Sequence, residues 1–102
     1  MKLTTSHTSI GRVISIETDE ELDLKSHGVF VDACRLAGHY EQSTIDVNLM
    51  KTRKIRGSGV DMLLMLRELT GCESNRIRLI NCNPDIRNQL ITSKLGQHFQ
   101  VV

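Results

Sequence analysis

Strand-like and helix-like stretches alternate along almost the whole of this sequence, and that alternation limits the folds open to it. Val13, Ile14 and Ile16 make Gly11 to Ile16 an apolar, β-branched run, and the periodicity predicts a strand there. From Ser26 to Ala37, Val29, Ala33 and Leu36 fall on one helical stripe with Phe30 and Ala37 beside it, and Gly38 suits the stop. Ile45, Val47 and Leu49 then alternate with Asp46 and Asn48, which is strand spacing. Ser58 to Thr70 is the strongest helix and is apolar on nearly all sides, with Gly71 as its end. Arg76 to Cys82 is the next strand. Asn83, Pro84 and Asp85 open a third helix as N-cap, first-turn proline and dipole-matching acid, and Gly96 closes it. His98 to Val102 reads as a short last strand, and a further strand fits near Leu3. The order implies an α/β fold: one four- to five-stranded mixed sheet with about three helices and right-handed crossovers.

The chain of 102 residues has room for one core, so residues 1–102 are expected to form a single domain. Glu17 to Asp23 is expected to be a loop because it is too polar for the core, and Lys51 to Arg56 a basic loop. A formal net charge of +1 gives no global field toward nucleic acid or anionic lipid. Phe30, Phe99 and Tyr40 are too few to build a stacking platform for single strands. Three cysteines, Cys34, Cys72 and Cys82, without a C-x-x-C pair argue against a disulfide framework and for reduced thiols. The polar stretch Lys2 to Ser9 does not resemble a signal peptide, and no apolar run is long enough to span a bilayer. The expected location is therefore the cytoplasm. His7, His27, His39 and His98 show no metal-ligand spacing with the cysteines, so neither metal nor cofactor is expected.

Chemistry-bearing residues concentrate at Ile55-Arg56-Gly57-Ser58-Gly59-Val60-Asp61, where the most apolar helix begins. A helix start leaves backbone N–H groups unpaired and favours negative charge, phosphate included. Ser58 and Asp61 also have the spacing of a capping box with Asp in place of Glu, a purely structural role. The G-x-S-x-G elbow and the G-x-x-x-x-G-K-[ST] loop are both missing, so the segment gives no reason to expect an enzyme. Lys51, Arg53, Lys54 and Arg56 form either an anion- or partner-seeking patch beside Ser58 or a solvated charge run. Asp61, Leu64, Met65 and Glu68 share one side of the helix and make a docking edge, or else the two apolar members are core.

Ile45-Asp46-Val47, the loop after it, and Gly-Ser-Gly-Val-Asp-Met-Leu-Leu-Met-Leu-Arg-Glu-Leu together resemble the STAS domain, the family of anti-sigma-factor antagonists in bacterial partner switching. Arg76-Ile-Arg-Leu-Ile-Asn, Asn83-Pro-Asp-Ile-Arg and Ser93-Lys-Leu-Gly extend the likeness over nearly the whole chain. The resemblance implies a regulatory adapter without catalytic activity. Its implied partners are a serine kinase or anti-sigma-like protein and a PP2C-type phosphatase. Its site would be the start of the central helix, where the family's Asp-Ser-[Ser/Thr/Ala]-Gly-Leu carries the phosphorylated serine. Here Arg56 stands at the Asp, Gly57 at the usual phosphoserine, and Ser58 one position late, before Gly59 and Val60. Ser58 is then a displaced acceptor, or the domain docks without phosphorylation as a scaffold subunit. A sensor of small anionic ligands or nucleotides, built on the basic loop, is a third expectation.

Overall fold

The computed structural model describes residues 2–8, 11–38, 43–69, 77–92 and 99–101. In chain order the elements are β1 (Lys2–Thr8), β2 (Gly11–Glu17), β3 (Glu21–Leu22), a 3-10 turn (Leu24–Ser26) and α1 (His27–Gly38). They continue with β4 (Ser43–Asn48), β5 (Lys54–Ile55), α2 (Gly57–Leu69), β6 (Ile77–Ile80), α3 (Pro84–Thr92) and β7 (Gln100–Val101). The main sheet runs β1-β2-β4-β6-β7. β1 is antiparallel to β2, and every other neighbour pair is parallel, so the sheet is mixed. The expected strand near Leu3 is β1. Gly11, which enters β2 with φ 133°, takes a conformation that glycine adopts without strain.

The crossovers β2-α1-β4, β4-α2-β6 and β6-α3-β7 each advance one strand in the same direction. Connections of this type are right-handed, so all three helices fall on one face. Burial agrees. Ile14, Ile16, Ile45, Val47, Ile77 and Leu79 point to that face and are sealed by Phe30, Ala33, Leu63, Leu66, Ile86 and Leu90. The all-round apolar character of α2 follows from its neighbours, because it packs on α1, on the 3-10 turn and on β3 and β5.

The opposite face carries the alternate residues. Thr4, Ser15, Asp46 and Arg78 pair in sequence across four strands. At the β4–β6 end of that row the Arg78 guanidinium donates Nε and Nη2 to the two Asp46 oxygens, both at 2.7 Å. Asp46 is only 6% exposed. The fork and the carboxylate charge raise the Arg78 pKa above its ordinary value. A buried carboxylate is tolerated when it is paired in this way.

Two stretches differ from the expectation. Glu17 to Asp23 is not simply a polar loop: Thr18 and Leu22 are buried, and Glu21–Leu22 pairs in parallel with Lys54–Ile55 of the basic loop. A strand of two residues with one apolar member carries too little periodicity to be seen in sequence. The α2 helix starts at Gly57, one residue before the expected Ser58. The ends expected at Thr70 to Gly71 and at Gly96, the outer residues Arg76, His98 and Val102, and Cys72 lie outside the described residues.

Removing the guanidinium over Asp46 leaves a buried carboxylate unpaired. Arg78→Ala is expected to lower unfolding stability by about 2 kcal/mol, a value at the lower end for charged hydrogen bonds because the Arg78 side chain is itself partly exposed. Urea unfolding followed by circular dichroism measures it, and an unchanged midpoint would show that the pair is energetically idle.

Candidate functional site

The small parallel pair of β3 and β5 fixes the start of α2. Glu20 C=O accepts from Arg53 and Lys54 N–H, at 2.8 and 3.2 Å, and Leu22 C=O accepts from Arg56 N–H at 3.0 Å. Arg56 is the N-cap of α2, since its carbonyl accepts from Gly59 and Val60 N–H. The capping box expected at Ser58 is therefore not formed. Ser58 is the second helical residue, half-buried, and among the described residues its hydroxyl has no hydrogen-bond partner.

The first turn lies directly on β3. A Cβ at Gly59 would come within 2.1 Å of the Leu22 carbonyl oxygen and 2.7 Å of its carbon. At Gly57 a Cβ would meet nothing within 4 Å. Glycine is thus required sterically at position 59 and only tolerated at 57.

Of the sequence-derived residues, Arg56, Gly57, Ser58 and Gly59 form the start of α2, and Asp61, Leu64 and Glu68 are exposed farther along it. Leu64 is 37% exposed, whereas Met65 is half-buried and packs against the core. Lys51, Arg53 and Lys54 are exposed on the facing loop, and the acids of 17–23 meet them. Lys51 Nζ lies 2.8 Å from Glu17 Oε1. Arg56 donates Nε and Nη2 to the two Glu21 oxygens at 3.0 and 3.1 Å. Glu21 is held below the ordinary carboxylate pKa, first by these hydrogen bonds and then by the Arg56 charge, with smaller help from Lys54 and Lys25. Lys51 does the same for Glu17. An open cleft of about 610 Å³ separates the two segments, lined by Asp19, Glu20, Glu21, Asp23, Lys25, Ser26, Met50, Lys51 and Arg53. The surface beside Ser58 is therefore mixed in charge.

Sequence reasoning missed the groups that hold the loop. The Thr18 and Thr52 hydroxyls hydrogen-bond to each other, and Thr52 Oγ1 donates to Asp19 C=O at 2.7 Å. From α3, Gln89 Nε2 donates to Ile55 C=O at 2.7 Å. Asn83 Oδ1 accepts from Ile86 N–H at 2.8 Å, the expected cap, while its Nδ2 donates to Thr52 C=O at 3.1 Å. The cap was legible in Asn-Pro-Asp, but the second bond joins residues 31 apart and has no local signal.

Among the described residues no group of three or more His, Cys, Asp or Glu could hold a metal ion. Burial raises the thiol pKa values of Cys34 and Cys82, which makes them poor nucleophiles at neutral pH. Among the described residues no helix is long and apolar enough to cross a membrane.

The fold is α/β, with a polar helix start held against a short strand pair at one end of the sheet. No protein-family model matches the sequence. A STAS-domain containing protein of Pseudomonas aeruginosa (strain UCBPP-PA14) is 30% identical over 106 residues, covering 99% of each chain. The chain belongs to the STAS-domain family. In structure it resembles the anti-sigma factor antagonist SpoIIAA in its unphosphorylated form, with TM-score 0.72 and 19% identity over 99% of this chain and 88% of the other. It also resembles the Bacillus cell fate determinant SpoIIAA in the phosphorylated form, with TM-score 0.61 and 19% identity over 99% and 91% of the two chains. The fold inferred from the strand and helix order is thus the observed one.

Two outcomes follow from the packing and charge of this site. Gly59→Ala is expected to cost roughly 1–3 kcal/mol, because backbone and not a flexible side chain must move, while Gly57→Ala is neutral or slightly stabilising. Thermal unfolding of the two variants compares them. Because the folded pKa of Glu21 lies below its unfolded value, the Arg56 pair adds stability above the unfolded carboxylate pKa. That stability is lost as pH falls through the folded value. Arg56→Gln should therefore flatten the acid limb of stability against pH at low salt, and should change it little in high salt because the pair is exposed. Urea unfolding from neutral pH down to about pH 3 tests this.

Proposed function

We propose that residues 1–102 act as a single-domain, cytoplasmic regulatory adapter, a relative in function of the anti-sigma-factor antagonists, and not as an enzyme. It docks to a serine kinase or anti-sigma-like protein through Arg56, Gly57, Gly59, Asp61, Leu64, Met65 and Glu68, with Lys51, Arg53 and Lys54 as the flanking patch. Ser58 is the phospho-acceptor, and a PP2C-type phosphatase resets it. The observation that supports this reading best is the Ser58 hydroxyl. It stands at the start of the central helix, half-buried and without a hydrogen-bond partner among the described residues, in a chain of the STAS-domain family. A phosphate there meets the unpaired N–H groups and positive pole of α2, and reverses the charge of the surface presented to a partner.

A second reading keeps the docking and removes the switch. Arg56 and Gly57 occupy the places where the family resemblance expects Asp and the phosphoserine, and Arg56 is already engaged by Glu21. The domain is then a scaffold subunit that binds constitutively. An anionic-ligand sensor has less support, since Lys51 and Arg56 are both met by carboxylates.

Intact mass of the protein from its native host, with fragment mapping, tests for phosphate on Ser58. In pull-downs with the captured partner, Ser58→Asp is expected to weaken binding by tenfold or more, on the order of 1.4 kcal/mol, with Ser58→Ala binding as wild type does. Equal binding by both variants, with no phosphate under several growth conditions, sinks the switch and leaves the scaffold.

A further inference from the structure

One side chain joins the acceptor position to the acidic segment opposite. Arg56 is the N-cap of the helix whose second residue is Ser58, and its guanidinium donates Nε and Nη2 to the exposed Glu21 carboxylate. The same two segments are locked in the backbone by the Arg56 N–H bond to Leu22 C=O and by the Gly59 contact with that carbonyl. Arg56 precedes the helix, so the rule that side chains two apart on a helix diverge does not fix its direction. We propose that Arg56 is an exchange ligand: it holds Glu21 in the unmodified chain and moves to the phosphate once Ser58 is phosphorylated, releasing Glu21. This rests on the reading of Ser58 as the acceptor.

The competition is decided by charge. A phosphoserine brings close to two negative charges and three acceptor oxygens, against one charge and two oxygens on Glu21. Guanidinium forks favour phosphate for that reason. The pair to be broken is solvent-exposed on both sides and therefore weak. Glu21 faces Arg56, and also Lys54 across the strand pair and Lys25, with Glu20 and Asp23 as acidic neighbours along the chain. After exchange it keeps only the two lysines. The acidic side of the cleft then gains an unpaired carboxylate, so the modification is read over a wider surface than the phosphate itself covers.

The test uses the full chain with phosphoserine encoded at position 58, and follows the second ionisation of the phosphate by phosphorus NMR. Arg56→Gln is expected to raise that midpoint by about one pH unit, since an opposite charge is lost. Glu21→Gln is expected to leave it in place, because Arg56 has already left Glu21. Both side chains are exposed, and amide spectra confirm that each variant is folded. An unmoved midpoint in Arg56→Gln overturns the proposal. So does a lowered midpoint in Glu21→Gln, which shows Arg56 still bound to Glu21 in the phosphorylated chain. Encoding the phosphate separates this from the broader reading: a native protein without phosphate on Ser58 refutes the switch, whatever the titration of the encoded phosphoprotein shows.

Discussion

Three successive crossovers of one hand, each stepping to the next strand in the same direction, determine most of this structure. They put α1, α2 and α3 on one face and give the sheet an apolar side there. They also carry the loops after β2, β4 and β6 to the same end of the parallel strands, where ligand and partner sites of α/β sheets are usually found. The start of α2, the acidic segment after β2 and the N-cap of α3 meet there because the topology leaves them no other place.

Electrostatics at that end is a matter of pairing more than of net charge. The basic residues of 51–56 look in sequence like a positive patch. In the fold Lys51 and Arg56 meet Glu17 and Glu21, and the β3–β5 ladder sets Lys54 against Glu21. Such exposed pairs contribute little to folding free energy. They do set what an incoming partner meets, which is two facing segments of opposite sign with a cleft between them.

The legible part of the fold was the part written in periodicity. Alternation at Ile45 to Leu49, the stripe at Val29 to Ala37 and the Asn-Pro-Asp start of α3 all depend on near neighbours, and each matches an observed element. The β3–β5 pair escaped because two residues are too short for a period, and because Leu22 is a single apolar residue among acids. The register of α2 was misread by one residue for a related reason. Ser58 has the right side chain for a cap, but the Leu22 carbonyl takes the Arg56 N–H and draws the helix start back to Gly57. Gly59 was legible as a glycine at a helix start, yet its steric necessity comes from a carbonyl 37 residues away in sequence.

Asn83 carries a consequence for how such a chain can vary. As a helix cap it has equals, since aspartate and serine accept an N–H bond as well. As the donor to Thr52 C=O it has none of these equals, because a carboxylate has no hydrogen to give and a hydroxyl lacks the reach of the amide. One side chain thus answers to two vocabularies at once, a local one shared by every helix start and a distant one private to this loop. Substitutions that look synonymous in the first are not synonymous in the second. The loop before Ser58 is therefore coupled, through the Asn83 amide as well as that of Gln89, to the wording of a helix that lies more than twenty residues further along the chain.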